Sequence, residues 1–279
     1  MRATRSPGVR PRVALPLLLS LGLTGCGLID IGFGPKASRE WQQSYDLSEQ
    51  GSVEVINING RIEAQPSADD RVEVRAEITA RGASERAARE RLEHIQIEED
   101  TGSDHVRLET KLPVTSFFTG GGSEVRYFLR IPAGRSVRLR TTNGSISVTG
   151  LQGELKAKTV NGSVSGSGLA GAVEASTTNG SIKIEVERVA EAGIDLQTVN
   201  GSIRLRIPAT AAADLSAHLT NGSIDTSDLP LQDLRRSSRR RLEAKLGSGG
   251  PPIELRTVNG SIRIAGSEDS SSEVPAESP

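Results

Sequence analysis

Hydrophobic and polar residues alternate on both sides of a recurring Asn-Gly pair in the second half of the chain. Counting back from each Asn, the residues six and four places earlier are apolar, as Val137 and Leu139 are before Asn143. After the pair, apolar residues fall three and five places on, as with Ile146 and Val148. A period of two predicts a strand with one buried face. Each repeat is therefore predicted as a strand, an Asn-Gly corner, a second strand and a short variable connection.

The corner lies inside a six-residue motif, Thr-x-Asn-Gly-Ser-Ile, and close copies of it return along the chain. From Asn143 onward the corner Asn residues are 18, 18, 21, 21 and 38 residues apart, so the last step predicts a repeat that has lost its signature. Self-similarity at a period of about 20 is typical of stacked repeats. Asn tolerates a left-handed backbone and Gly adopts one without steric cost, which suits a tight corner. The predicted structural corners are Asn59, Gly60, Asn143, Gly144, Asn161, Gly162, Asn179, Gly180, Asn200, Gly201, Asn221, Gly222, Asn259 and Gly260.

Two all-β architectures fit this pattern. In a meander of hairpins, Asn-Gly would form two-residue primed turns that keep the inward residues on one face. In a β-solenoid, each repeat is one coil, and coils stack in parallel about 4.8 Å apart, which places Asn over Asn and Thr over Thr. The near-identity of the whole motif favours the solenoid, because like side chains in a ladder bond to one another whereas a hairpin requires only the Asn-Gly.

The repeats, the segment Ile131-Pro132-Ala133-Gly134 before them, and the segment from Gly150 to Leu155 between two copies resemble the bacterial DUF4097 family. The likeness covers roughly residues 50 to 265. It implies a right-handed β-helix-like fold, and the family is described as candidate adhesins. The resemblance brings no established catalytic residue with it.

The N-terminus has the features of a lipoprotein signal peptide over residues 1–25. Residues 1–12 carry four Arg and no acid, and the apolar run from Val13 to Leu23 is too short and wrongly flanked to span a membrane. The following Leu23-Thr24-Gly25-Cys26 resembles a bacterial lipobox, which implies that Cys26, the only cysteine, carries fatty acids such as palmitate. The alternative is an ordinary secretory signal with a chance cysteine.

Acyl chains contribute about 0.8 kcal/mol per buried methylene, so an acylated Cys26 would hold the protein on a membrane. Residue 27 is Gly rather than Asp, which by resemblance to sorted lipoproteins implies the outer membrane if the host is Gram-negative. The expected location is therefore the bacterial cell envelope, with the membrane as a partner through Cys26.

Four further regions are predicted after the signal peptide. Residues 26–40 form a lipid-anchored tether, and residues 41–135 form a β-strand region. That region contains one short helix over residues 84–95, with Ser84 as its N-cap and apolar residues at helical spacing. Residues 136–265 form the Thr-x-Asn-Gly-Ser-Ile repeat region, and residues 266–279 are a disordered acidic tail.

Charge and aromatic content narrow the classes of partner. Removal of residues 1–25 takes away four Arg, so the formal net charge falls from −1 to −5, and a mildly acidic protein has no global attraction to nucleic acid. All seven aromatic residues lie before residue 129, so the repeat half has no aromatic platform on which sugars or bases could stack.

One segment between the last two corners is strongly basic. Functionally it is a possible contact for phosphate, lipid headgroups or an acidic polysaccharide. The alternative is a solvated loop or helix face on a degenerate coil. The basic residues concerned are Arg235, Arg236, Arg239, Arg240, Arg241 and Lys245.

The sequence contains no Ser-His-Asp grouping, phosphate-binding loop, dinucleotide fingerprint or metal-spaced Cys/His cluster, so no catalytic residue, metal or cofactor is predicted. The leading hypothesis is a non-enzymatic, adhesin-like or scaffold protein that binds an unidentified protein or glycan at the envelope. A second hypothesis is an envelope-stress or signalling accessory protein that uses its basic segment. A third is a polysaccharide-acting enzyme that uses Glu154, Glu174, Glu185 and Glu187, the acids on the repeats.

Overall fold

A computed structural model describes residues 34–112, 122–227, 229 and 231–267. Within them it contains 21 strands and one α-helix. The elements are β1 Lys36–Asp46, β2 Ser52–Ile56, β3 Ile62–Pro66, β4 Arg71–Arg81, α1 Glu85–Glu93, β5 Gln96–Thr101, β6 His105–Lys111, β7 Ser123–Ile131, β8 Ser136–Arg140, β9 Ile146–Thr149, β10 Leu155–Asn161, β11 Val164–Leu169, β12 Val173–Asn179, β13 Ile182–Val186, β14 Ile194–Asn200, β15 Ile203–Pro208, β16 Ala213–Asn221, β17 Ile224–Ser227, β18 Leu231–Ser238, β19 Arg241–Leu246, β20 Pro252–Asn259 and β21 Ile262–Ser267.

The strands form two sheets, and each repeat contributes one strand to each of them. Sheet A has ten strands in the order β1-β4-β7-β3-β9-β11-β13-β15-β21-β17 and takes the strands that follow the corners. Sheet B has eleven strands in the order β18-β19-β16-β20-β14-β12-β10-β8-β2-β6-β5 and takes the strands that precede them. The inward residues of both sheets, almost all Ile, Val, Leu and Ala, form one core.

Neighbouring repeats pair in parallel and in register. Leu155 lies opposite Val173, and Val173 lies opposite Ile194, so each inward apolar position stacks on its equivalent in the next coil. This arrangement confirms the predicted solenoid, and the hairpin meander is wrong for the repeats. The alternation of period two is what fixes the register, because a slip of one residue would turn every apolar side chain outward.

The order of the coils in the stack is not their order in the sequence. The coil β2/β3 lies between β6/β7 and β8/β9, and the last coil, β20/β21, lies between β14/β15 and β16/β17. The prediction of a degenerate coil within the 38-residue step is therefore wrong. The chain instead forms the hairpin β18–β19 and then returns to insert its final coil inside the stack.

Antiparallel strands cover both ends of sheet B and one end of sheet A. On sheet B, β5 pairs with β6 at one end and β19 pairs with β16 at the other; on sheet A, β4 pairs with β7, and β1 pairs with β4. These strands shield parallel edges that would otherwise present unpaired backbone groups. Because β1 begins at Lys36, residues 36–40 lie in a strand, which corrects the predicted tether at its C-terminal end.

The predicted helix is present and packs beside β1 and β4, at one end of sheet A. The Ser84 hydroxyl accepts a hydrogen bond from the Ala87 N–H at 3.2 Å, so Ser84 is the N-cap. The helix buries Ala88 and contacts β1 and β4, where the Arg39 guanidinium also donates to the Ile95 carbonyl at 2.5 Å.

Several predicted features lie outside the described residues. They are the signal peptide, Cys26, the tether up to residue 33 and the tail from residue 268. Residues 34–267, apart from the gaps given above, include no helix long and apolar enough to cross a membrane.

Candidate binding face

The corner asparagines form one continuous hydrogen-bonded ladder along the stack. Every side-chain amide except that of Asn59 donates from Nδ2 to the Oδ1 of an adjacent coil at 2.7 to 2.9 Å, and the rungs follow the order of the coils in space. The final coil is held on both sides, because Asn259 donates to Asn200 and accepts from Asn221. The ladder from Asn59 to Asn221 thus contains the seven predicted corners: Asn59, Asn143, Asn161, Asn179, Asn200, Asn259 and Asn221.

A second ladder is buried just inside the first. Five corner asparagines have a buried threonine two places before them, and its hydroxyl donates to the corner glycine carbonyl of the adjacent coil, as Thr177 does to Gly162 at 2.9 Å. The same bond recurs at the other Thr positions, with lengths of 2.9 to 3.3 Å. Position 219 is Leu, so the coil of β16 lacks this bond. The two ladders lock the corners into a rigid edge.

The corner glycines are required chiefly by close stacking. A Cβ at Gly180 would lie 1.9 Å from the Gly162 carbonyl oxygen, and the equivalent contact recurs at the other corners at 1.8 to 2.1 Å. Of the corner glycines, Gly60, Gly222 and Gly260 have positive φ, and among the described non-glycine residues only Asp233 does. The corner asparagines do not use the left-handed backbone that Asn tolerates, and their side chains form the ladder instead.

A groove of about 580 Å³ runs beside the ladder on the outer face of sheet B. We call it the corner groove. It lies between two outward rows, one and three places before the corner Asn, and the buried threonines form its floor. The first row comprises Thr178, Val199, Val258 and Thr220, and the second comprises Lys158, Ser176, Gln197, Arg256 and His218.

The corner groove combines exposed apolar side chains with polar and charged ones, a mixture that can contact a ligand. Val199 and Val258 are 40% and 41% exposed, so the groove offers apolar contacts between hydroxyls and amides. Its Arg256 is paired with Glu254 at 2.6 Å, and the Gln197 amide donates to Asp195 at 2.9 Å. These groups can hydrogen-bond and pair charge along an extended ligand over about five coils.

The four acids predicted for an enzyme are divided between the two sheets. Glu154 and Glu174 lie on the sheet B side, where Lys156 Nζ lies 2.9 and 3.8 Å from their carboxylates. Glu185 is on β13 of sheet A and Glu187 follows that strand. No group of three or more His, Cys, Asp or Glu side chains suited to a metal ion occurs in the part of the chain that the structure describes.

The three histidines lie at separate places. The His105 ring contacts Asp104 at 2.8 Å and Asp100 at 3.4 Å, and hydrogen bonding to Asp104 raises the pKa of His105 above its usual range. His94 lies at the C-terminus of α1, and His218 lies in the corner groove. They do not form one cluster.

The basic segment forms a hairpin, which corrects the prediction of a loop or helix. Arg239 and Arg240 are exposed at its turn, whereas Arg241 pairs with Glu243 and Lys245 lies 3.4 Å from Asp233. Its strand β19 buries three apolar residues against the core, so the segment caps sheet B. The side chains of Arg235 and Arg236 lie outside the described residues.

Sequence reasoning missed the corner groove. The rows that line it are outward positions of ordinary alternating strands, and small polar side chains there look like any solvated face. The available signal was the recurrence of Thr or Val directly before each corner Asn from residue 142 onward, which places exposed valines in a line once the coils stack.

Comparisons with known proteins found one family match and several similar solved structures. The model of the Toastrack DUF4097 family matches residues 129–265. The chain resembles a solved candidate cell adhesion protein from Clostridium sporogenes at 10% identity and a TM-score of 0.44, covering 83% of this chain and 100% of that one. It resembles a candidate adhesin from Bacteroides fragilis at 11% identity and a TM-score of 0.36, covering 82% and 97%. No curated protein sequence matches the chain.

Proposed function

We infer, given that this chain belongs to the Toastrack DUF4097 family through residues 129–265, that it is a non-enzymatic, adhesin-like scaffold of the bacterial envelope. Its partner, an extended protein or glycan segment, binds along the corner groove. The observation that carries this proposal is the unbroken asparagine ladder, which holds equivalent outward positions of successive coils at one spacing.

Rigidity supports binding at this face. Each coil is joined to its neighbours by backbone pairing, an Asn rung and, in most coils, a buried Thr bond, so little conformational freedom remains to be lost when a ligand binds. A preorganised row of small side chains suits a linear partner that contacts several coils at once. Glu154 and Glu174 lie beside the Lys156 cation, and Glu254 pairs with Arg256, which fits a scaffold better than an acid–base catalyst.

The proposed anchor is the lipid on Cys26. The lipobox-like Leu23-Thr24-Gly25-Cys26 supports it, and Gly27 supports the outer membrane if the host is Gram-negative. The acyl chains would hold the domain at the membrane surface. Metabolic labelling with an alkynyl palmitate tests this: label is expected on the wild type and absent from Cys26→Ser. Equal labelling of both would contradict the anchor.

The groove is tested by capture of envelope proteins and glycans. The variant Thr178→Lys/Val199→Lys places two long cations in the groove at exposed positions, so folding should persist while capture falls about tenfold or more. The matched control is Ser147→Lys/Thr149→Lys, which adds the same charge to exposed positions of sheet A and should capture normally. Equal capture by the two variants would refute the groove.

Whole-cell attachment tests the adhesin-like role separately. Cells that lack the gene, or that carry the groove variant, should attach more weakly to host matrix or to neighbouring cells than wild-type cells do. Unchanged attachment on every surface would rule out the adhesin-like role. The capture assay would then still test the groove as part of a scaffold.

A second candidate function rests on the hairpin turn, where Arg239 and Arg240 are exposed. In that case the protein is a signalling accessory that contacts a regulator or lipid through these cations. Reversal of Arg239, Arg240 and Arg241 to Glu should abolish binding if this is right. Because the hairpin also caps the stack, we expect unchanged partner capture and a modest loss of stability instead.

A further inference from the structure

Sheet A carries a line of cations on its outer face that the sequence analysis did not single out. Lys183, Arg204 and Arg263 each lie four places after a corner Asn, and β13, β15 and β21 are adjacent in the sheet. Lys183 lies opposite Arg204, and Arg204 lies opposite Arg263. All three side chains are exposed. We call this line the cationic row.

The cationic row differs from three other cations on or beside sheet A. Arg61, Arg126 and Arg130 each pair with a glutamate, at 2.9, 2.7 and 3.9 Å. In the row, by contrast, neither Lys183 nor Arg204 forms an ion pair with any residue that the structure describes.

Arg263 is the one member of the row that is paired, with Asp225 at 3.2 Å. Like charges directly opposite on neighbouring strands destabilise a sheet, so the row costs stability in the free protein. An anionic ligand would remove that cost.

We propose that the cationic row binds a linear acidic polysaccharide that bears a carboxylate on each sugar. Neighbouring strands are about 4.8 Å apart, which is close to the length of one sugar ring, so successive carboxylates meet successive cations. The guanidinium of Arg presents a planar fork that matches a carboxylate with two hydrogen bonds. Arg206, exposed two residues after Arg204, widens the row at its centre.

The surroundings of the row favour a single chain over a membrane or a nucleic acid. Glu185 lies opposite Arg206, and Asp225 lies at the end of the row opposite Arg263. These acids would repel a flat anionic bilayer, whereas a single polysaccharide chain can lie along the cations without contacting them. The repeat half has no aromatic residue after Phe128, so bases have nothing to stack on. Sugars held by their carboxylates need no such platform.

Binding of a galacturonate hexamer to the full chain, purified in non-ionic detergent, tests the proposal by calorimetry at low salt. The variant Lys183→Gln/Arg204→Gln/Arg263→Gln should bind about tenfold or more weakly, because three charge pairs are lost. The matched control, Arg61→Gln/Arg126→Gln/Arg130→Gln, removes the same charge from paired positions of the same sheet and should change the affinity by less than about twofold.

Four results would overturn the proposal. They are no binding of the hexamer to the wild type, equal weakening by the two triple variants, equal binding of the neutral methyl-esterified hexamer, and row-dependent binding that is tighter to anionic lipid vesicles or to single-stranded DNA. Circular dichroism of each variant establishes that the fold is retained. The corner groove lies on the other sheet, so capture by the groove should persist in the row variant whichever result is obtained.

Discussion

Replacement of a corner glycine by alanine is expected to destabilise the stack through a single added methyl group. In Gly180→Ala the new Cβ would lie 1.9 Å from the carbonyl oxygen of Gly162, and real Cβ atoms essentially never approach closer than 3.0 Å. The two coils must therefore separate locally by about 1.1 Å, the difference between these distances. This separation lengthens the hydrogen bonds that join the two coils.

Two of the hydrogen bonds between these coils involve Gly162 itself. Thr177 Oγ1 donates to the Gly162 carbonyl at 2.9 Å, and the Gly162 N–H donates to the Asn179 carbonyl at 3.0 Å. An added separation of about 1.1 Å brings both close to 4 Å, beyond hydrogen-bond range. Each bond contributes about 1 kcal/mol and a buried orphaned group costs more, so we expect the free energy of unfolding to fall by about 2–4 kcal/mol.

Thermal unfolding followed by circular dichroism measures this loss. At about 2–4 °C per kcal/mol for a chain of this size, the midpoint should fall by roughly 4–16 °C. The matched control is Gly134→Ala, whose added Cβ meets no atom within 4 Å and whose φ is not positive. That variant should be unchanged or slightly more stable. Equal midpoints for the two variants would refute the argument from close stacking.

Two further predictions concern the buried threonines and the one histidine with a shifted pKa. Thr198→Val removes the hydroxyl that donates to Gly180 at 2.9 Å and should lower the free energy of unfolding by about 1 kcal/mol, whereas Thr198→Ser should lose less; urea unfolding that places Val above Ser would contradict the ladder. The raised pKa of His105 means that its contribution to stability is present below the unfolded pKa of about 6.5 and is lost as pH rises through the folded pKa. An NMR titration should show this raised pKa returning toward its usual value in Asp104→Asn, and an unshifted titration would contradict the assigned contact.

The architecture of each coil could be predicted from the sequence because its determinants are local. The alternation around Asn143 fixes which side chains face inward, and identical motifs are satisfied by stacking like on like. The helix cap at Ser84 is equally local. The reason for glycine at the corners was not local, since the atom that excludes a Cβ at Gly180 belongs to another coil.

The order of the coils could not be predicted, because the motif at Asn259 is the same as the others and does not specify its neighbours. The departures lie in the coil of β16 and β17, where Leu219 replaces the bonding Thr, and Ile224 and Thr226 are only partly buried. Those departures suit an end coil, which has no further coil on its sheet A side. The basic hairpin was predicted as a loop or helix because tertiary pairing with β16 overrides its local preference.

The candidate site was predicted only in part. Asn rungs were expected from the repeated motif, and the structure arranges all seven in one ladder. The corner groove and the cationic row depend on which outward residues become neighbours. For the row, Arg204 meets Arg263 only because the final coil inserts beside β15, a contact 59 residues apart in the sequence.

The insertion of the final coil is tested most directly by engineered cysteine pairs in a Cys26→Ser background. Gln197 lies opposite Arg256, and Arg256 lies opposite His218, so Gln197 and His218 are two strand spacings apart, about 9.6 Å. A disulfide needs Cα atoms roughly 4.4–6.8 Å apart. Mild oxidation should therefore cross-link Gln197→Cys/Arg256→Cys and leave Gln197→Cys/His218→Cys reduced. Cross-linking of the second pair but not the first would show that the coils stack in sequence order, and would contradict this account.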